Sequence, residues 1–136
     1  MTIQALWNIG LKVIDLDVEV AFLQRVGATL VLRERRRLGA RTVDYAVMSL
    51  GGTRMLLFEH VVFEDRVAGG VRPGLTHAVY EVDDLRAEYA RIEGLGAEVL
   101  IEPTFVEAGF GSRWIAFFRS PGGFVFEVMQ QVEARL

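Results

Sequence analysis

With 136 residues, 51% of them hydrophobic, the chain has the size and apolar content of one compact unit with a buried core. It has no cysteine, which excludes a disulfide framework, a thiolate metal site and a cysteine nucleophile, and nothing in it approaches the roughly 20 uninterrupted apolar residues of a membrane span. A net charge of −3 and a pI near 5.4 argue against nucleic acid as the main partner. The opening MTIQALWNIG lacks the basic end and apolar stretch of a signal peptide, so a cytoplasmic protein is the expectation.

The first module starts with a strand around NIGLKV. Asp15 then stands where a helix cap is needed, and Leu16, Val20, Leu23 and Val26 keep helical spacing up to Gly27, a residue suited to a left-handed helix end. A strand follows over 28–34. The run RERRR, Arg33 to Arg37, reads either as a solvated strand end or as an anion-attracting rim; nearly all the basic residues are arginine, with Lys12 the only lysine. The next stretch, 42–60, reads as a hairpin turning at Gly51-Gly52. A Gly- and Pro-containing linker, 61–74, closes the module.

The second module repeats the first. Shifted by 69 residues, 8–33 falls on 77–102 without a gap, and seven of 26 positions are identical, Asp15/Asp84 and Gly27/Gly96 among them. Leu85, Tyr89, Ile92 and Leu95 give the second helix, 97–103 the strand after it, and 113–130 a hairpin turning at Gly122-Gly123. Each half is therefore strand, helix, three strands. A half-module of this size cannot easily bury its sheet alone, whereas two packed together can. The expected architecture is α+β, with two βαβββ modules (about 6–60 and 75–130) forming a curved, barrel-like sheet around a central cavity, and with the modules paired within one chain or exchanged between two.

The polar residues of the strands carry the chemical interest. His77 heads the first strand of the second module, and Asn8 is its repeat partner. Glu127 lies on the same strand face as the apolar Val125 and Met129, and a carboxylate there is costly unless paired or bound to metal. Glu59 raises the same question beside Leu57 and Met55; it follows Asn8 by 51 residues, and Glu127 follows His77 by 50. One imidazole and two carboxylates suit a divalent ion, which Asn8 could complete with its amide oxygen; the alternatives are a core histidine and a structural ion pair. His60 is a competing ligand, but adjacent strand residues face opposite sides. Arg113 and Trp114 stand where they could line the pocket mouth and hold an anionic substrate group, or serve as a surface arginine and a core tryptophan. No Walker loop, GxGxxG after a strand, GxSxG or HExxH occurs.

NIGLKVIDLD, THAVYEVDDL, GSRWIAFFRSPGGFVFEV and the doubled module order together resemble the glyoxalase/bleomycin-resistance/extradiol-dioxygenase superfamily, the vicinal oxygen chelate proteins, over about residues 6 to 130. The resemblance implies a glyoxalase-like fold. In glyoxalase I-like members it places metal ligands at Asn8, Glu59, His77 and Glu127, with Asn8 departing from the usual His or Gln. It implies one divalent ion per site (zinc, nickel, cobalt, manganese or iron), a metal-chelated enolate, and Glu127 or Glu59 as the catalytic group that moves a proton, in isomerase, lyase or epimerase chemistry on a small oxygen-rich substrate. Metal-free bleomycin-binding members imply the alternative, sequestration of a drug or metabolite among aromatics such as Trp7, Tyr45, Phe110, Trp114 and Phe117. An extradiol dioxygenase is a third reading, though the His that such members need is Asn8 here. The implied partners are a small molecule and a second copy of the chain in a homodimer, not nucleic acid or membrane.

Overall fold

The computed structural model describes residues 3–38 and 41–136; residues 39–40, in the connection between the second and third strands, and residues 1–2 lie outside the description. The elements run β1 (Ile3–Lys12), α1 (Leu16–Val26), β2 (Thr29–Leu38), β3 (Arg41–Leu50), β4 (Thr53–Phe58), a single 3-10 turn (Glu64–Arg66), β5 (Gly74–Val82), α2 (Leu85–Gly94), β6 (Glu98–Ala108), β7 (Gly111–Arg119) and β8 (Val125–Ala134). This is the doubled βαβββ order. All eight strands form one sheet, in the order β2-β3-β4-β1-β5-β8-β7-β6. Within each module the first and last strands pair in parallel, β1 with β4 and β5 with β8, and the modules join edge to edge through the antiparallel pair β1–β5.

Local chemistry sets the element ends. Asp15 and Asp84 cap the helices, their carboxylates accepting the N–H groups of Val18 and Ala87, each at 3.1 Å. Gly27 and Gly96, just past the helices, have φ of 127° and 97°. The first hairpin turns at Gly51 and Gly52, both left-handed at φ 57° and 79°, a pair of angles that residues with a side chain resist. The second differs from the expected Gly-Gly turn: Gly123 alone is left-handed, and the longer loop is closed by Ser120, whose hydroxyl accepts the N–H of Phe124 at 3.0 Å. The outer strands β2 and β6 run further than the sequence suggests because β3 and β7 give them partners as far as Leu38 and Ala108.

Strand alternation sorts the side chains into two layers. On the convex face, α1 sets Leu16, Val20 and Leu23 on Ala46, Met48 and Leu57, and α2 sets Leu85 and Ile92 on Ala116, Phe118 and Val128. The concave face carries Tyr45, Val47 and Leu56 from the first module, and Val79, Ile115, Phe117 and Met129 from the second. The sheet curls far enough for its ends to touch. Glu34 on β2 accepts the N–H of Gly109, at the tip of the β6–β7 hairpin, at 2.5 Å, and also accepts the hydroxyl of Tyr45.

The arginine run divides between its two readings. Arg33 pairs with Asp17 at 2.6 Å and Asp44 at 3.4 Å on the solvated outer strand, while Arg37 lines the cavity. No helix among the described residues is long and apolar enough to cross a membrane.

Candidate functional site

The hollow of the curled sheet is a cavity of about 530 Å³. Phe58, Val61, Ile101, Val106, Phe110 and Phe117 supply much of its wall. Beside Arg37, Tyr45 and Thr104, polar side chains reach it from four neighbouring places in the sheet: Asn8 from β1, His77 from β5, Arg113 from β7 and Glu127 from β8. Asn8, His77, Arg113 and Glu127 are all buried. The sheet register explains their meeting: Asn8 pairs with Val79, which pairs with Glu127, so those residues form a row across β1, β5 and β8, and all three line the cavity.

His77 lies between Phe63 and Phe117, with ring centroids 5.4 and 5.2 Å away. Its Nδ1 is 2.9 Å from the hydroxyl of Thr76, which donates its one proton to the carbonyl of Gly10 at 3.0 Å. Thr76 must therefore accept from His77, so the ring proton sits on Nδ1 and Nε2 is a bare acceptor. That Nε2 faces Glu127 Oε1 at 3.7 Å, beyond hydrogen-bond length. Burial lowers the pKa of His77 to about 4, which keeps it neutral. Burial also raises the pKa of Glu127 to about 7, against the opposing pull of the Arg113 charge.

Arg113 is the cation of the floor. Burial lowers its pKa to about 10, which leaves it charged at neutral pH. Its Cζ lies 4.3 Å from the Trp7 ring centre and 3.9 Å from that of Phe110, so the guanidinium is held by cation–π contact. Its Nε and Nη2 are buried without a hydrogen-bond partner, as is Oδ1 of Asn8, whose Nδ2 donates to the carbonyl of Ile9 at 3.1 Å.

Two expectations about site residues are corrected. Glu59 does not reach the cavity. It alternates onto the convex side with Met55 and Leu57, is exposed, and its carboxylate accepts the N–H of Leu16, the first residue of α1, at 2.8 Å. Gln130 does the same for Leu85 at the start of α2, also at 2.8 Å. The register shows why the match to Glu127 failed. Gly10 pairs with Leu56, and its repeat partner Val79 pairs with Glu127, so the counterpart of Glu127 is Leu56. Leu56 indeed lines the cavity. The helices repeat at 69 residues, but these last strands repeat at 127 − 56 = 71, which also brings Glu59 onto Gln130. The Phe-Glu pair shared by 58–59 and 126–127 suggested the wrong offset.

Trp114 is the second correction. Residues 113, 115 and 117 of β7 face the cavity, so Trp114 faces away, packing with Phe105 at 5.5 Å and against the core beneath α2. Arg113 does line the cavity, on its floor rather than at its mouth. His60 pairs with Glu64 and Asp65 at 3.6 and 3.7 Å, outside this cavity. Sequence reasoning missed Leu56, Thr76 and Gly10; alternation from Met55 and Leu57 was the available signal for Leu56.

The donor set does not fit a tightly held divalent ion. The four places at which the modules could present ligands hold a neutral amide (Asn8), an alkyl group (Leu56), an imidazole (His77) and a carboxylate (Glu127). Among the described residues no three His, Cys, Asp or Glu side chains come together to hold a metal. A buried guanidinium on the same floor adds positive charge where a metal ion would have to enter.

The family model described as Glyoxalase/Bleomycin resistance protein/Dioxygenase superfamily matches residues 8–128. Among solved structures, methylmalonyl-CoA epimerase in complex with methylmalonyl-CoA and NH4+ is 21% identical, with a TM-score of 0.73 over 96% of each chain. The methylmalonyl-CoA epimerase of Mycobacterium tuberculosis is 22% identical, with a TM-score of 0.71 over 96% of this chain and 90% of that one. A mutant 4-hydroxymandelate synthase from Streptomyces coelicolor is 17% identical, with a TM-score of 0.71 over 98% of this chain and 50% of that one. These likenesses concern the fold. A search of curated proteins by sequence found no match.

Proposed function

Because the chain belongs to the Glyoxalase/Bleomycin resistance protein/Dioxygenase superfamily, whose resemblance sets metal-dependent enzymes beside metal-free binding proteins, we propose that its cavity is a metal-independent site for a small anionic organic molecule. The carrying observation is Arg113: a buried cation with two unpartnered donors, on a floor where Leu56 stands in the place equivalent to Glu127. A buried donor without a partner is costly, and an anion entering the cavity supplies the partner. The apolar wall then buries the rest of the molecule, with Phe58, Phe110 and Phe117 offering ring contacts.

The test is calorimetric titration with 3-phenylpropanoate. We expect binding that is indifferent to a chelator and weakened at least about tenfold in Arg113→Met, as loss of a charge-assisted pair implies. Binding abolished by the chelator, or untouched in Arg113→Met, would sink the proposal.

One observation favours a second reading, an isomerase or epimerase working without metal. Glu127, with a pKa of about 7, is suited to take a proton from a carbon next to the bound acid group and return it, while Arg113 steadies the negative charge left behind. Its test is proton NMR of a bound acid in D2O. Deuterium at that carbon, lost in Glu127→Gln, supports turnover; its absence with each acid that binds leaves the binding role.

A further inference from the structure

The floor carries unused acceptors as well as unused donors. We infer that the ligand is a carboxylate with a hydroxyl or N–H group on the neighbouring carbon, a class exemplified by the 2-hydroxy acids. The inference rests on the anion-binding reading of Arg113 and narrows it.

The donor side comes first. Nε and Nη2, the two unpartnered atoms of Arg113, form one edge of the guanidinium. Two parallel N–H groups along an edge match the two oxygens of a planar carboxylate. The stacking of the guanidinium on Trp7 and Phe110 holds that edge in place.

The acceptor side is fixed by two local hydrogen bonds. Asn8 uses its Nδ2 on the carbonyl of Ile9, so the buried, unpartnered atom is the oxygen. His77 uses Nδ1 on Thr76, whose own proton goes to Gly10, so the nitrogen facing Glu127 is an acceptor. A simple carboxylate would satisfy Arg113 and still leave Asn8 Oδ1 buried without a donor. A neighbouring O–H or N–H answers that need. Sites built to hydrogen-bond a ligand hydroxyl discriminate strongly against analogues that lack it, because their own buried groups are then left unpaired.

The experiment compares three acids on the wild-type protein by calorimetry: 3-phenyllactate, 3-phenylpropanoate, and the 2-methoxy ether of 3-phenyllactate, which keeps an oxygen but has no proton to give. We expect 3-phenyllactate to bind at least about tenfold more tightly than the other two. In Asn8→Leu that preference should disappear. If the variant misfolds, the wild-type comparison still decides, and 15N shifts of His77 in the unliganded protein check independently that the proton is on Nδ1. Equal binding of the three acids, all weakened in Arg113→Met, overturns this inference and leaves the anion site standing. Binding indifferent to Arg113→Met, or no binding of any of the three, overturns both.

Discussion

The imidazole of His77 lies on Gly10, in the space that a side chain at that position would take. Thr76 ties the same two residues together, bonding to the Gly10 carbonyl and to Nδ1 of His77. Gly10 is therefore a positioning residue. Gly10→Ala should cost about 1–3 kcal/mol through overpacking, and much less when His77 is also alanine. Urea denaturation of the two single variants and the double variant checks the coupling; an equal cost in both backgrounds would show that Gly10 is needed for something other than the ring.

His77 and Glu127 should make opposing contributions to the pH dependence of stability. Burial lowers the pKa of His77 from 6.5 to about 4, so its contribution is present above pH 6.5 and is lost as pH falls toward 4. Burial raises the pKa of Glu127 from 4.5 to about 7, so its contribution is present below pH 4.5 and is lost as pH rises through 7. Glu127→Gln should therefore stabilise the fold relative to wild type at about pH 8, by on the order of 3 kcal/mol, and change it little at about pH 4.5. Denaturant midpoints at the two pH values test this, and a variant equally stable relative to wild type at both would contradict the sign.

The same titration reaches the ligand. A bound carboxylate disfavours a charged Glu127, so binding and protonation should reinforce each other. Affinity for a small acid should rise as pH falls from about 8 to 6, and Glu127→Gln should remove that dependence. Calorimetry at several pH values reads both outcomes.

Glu59 and Gln130 should matter to the helices and not to the cavity. Each accepts the N–H of the first residue of a helix at 2.8 Å. Removing either side chain by an alanine substitution should lower stability by about 0.5–2 kcal/mol, the usual effect of losing such a cap. Ligand affinity measured on folded protein should stay within twofold of wild type, whereas a large loss in Glu59→Ala would return that residue to the site.

The missing metal ligands can be supplied by mutation. Asn8→His with Leu56→Glu places an imidazole and a carboxylate opposite His77 and Glu127. That variant should take up Co2+ stoichiometrically where wild type does not, followed by the visible spectrum, and Arg113→Met added to it should tighten uptake by removing the competing charge. Stoichiometric Co2+ in wild type, lost in His77→Ala, would restore the metal reading.

The architecture was legible because it rests on short-range signals: helical spacing between Asp15 and Gly27 and again between Asp84 and Gly96, glycine turns, and the repeat that relates them. Burial of Glu127 and His77 was legible too, since period-two alternation tells which face a strand residue shares. Glu59 failed for a reason inherent to sheets. Matching Glu59 to Glu127 uses an offset of 127 − 59 = 68, three residues short of the 71 that the pairing sets, and an odd error of register moves a side chain to the other face.

The sequence by itself determined the two modules, their order of elements and the apolar strands that must curl around something, because propensity, caps and periodicity act over a few residues. Only the tertiary structure decided what stands on the floor. Asn8, Leu56, His77, Arg113 and Glu127 come from five strands, and their meeting depends on pairings between residues far apart in the chain, which set whether a carboxylate caps a helix or faces the cavity.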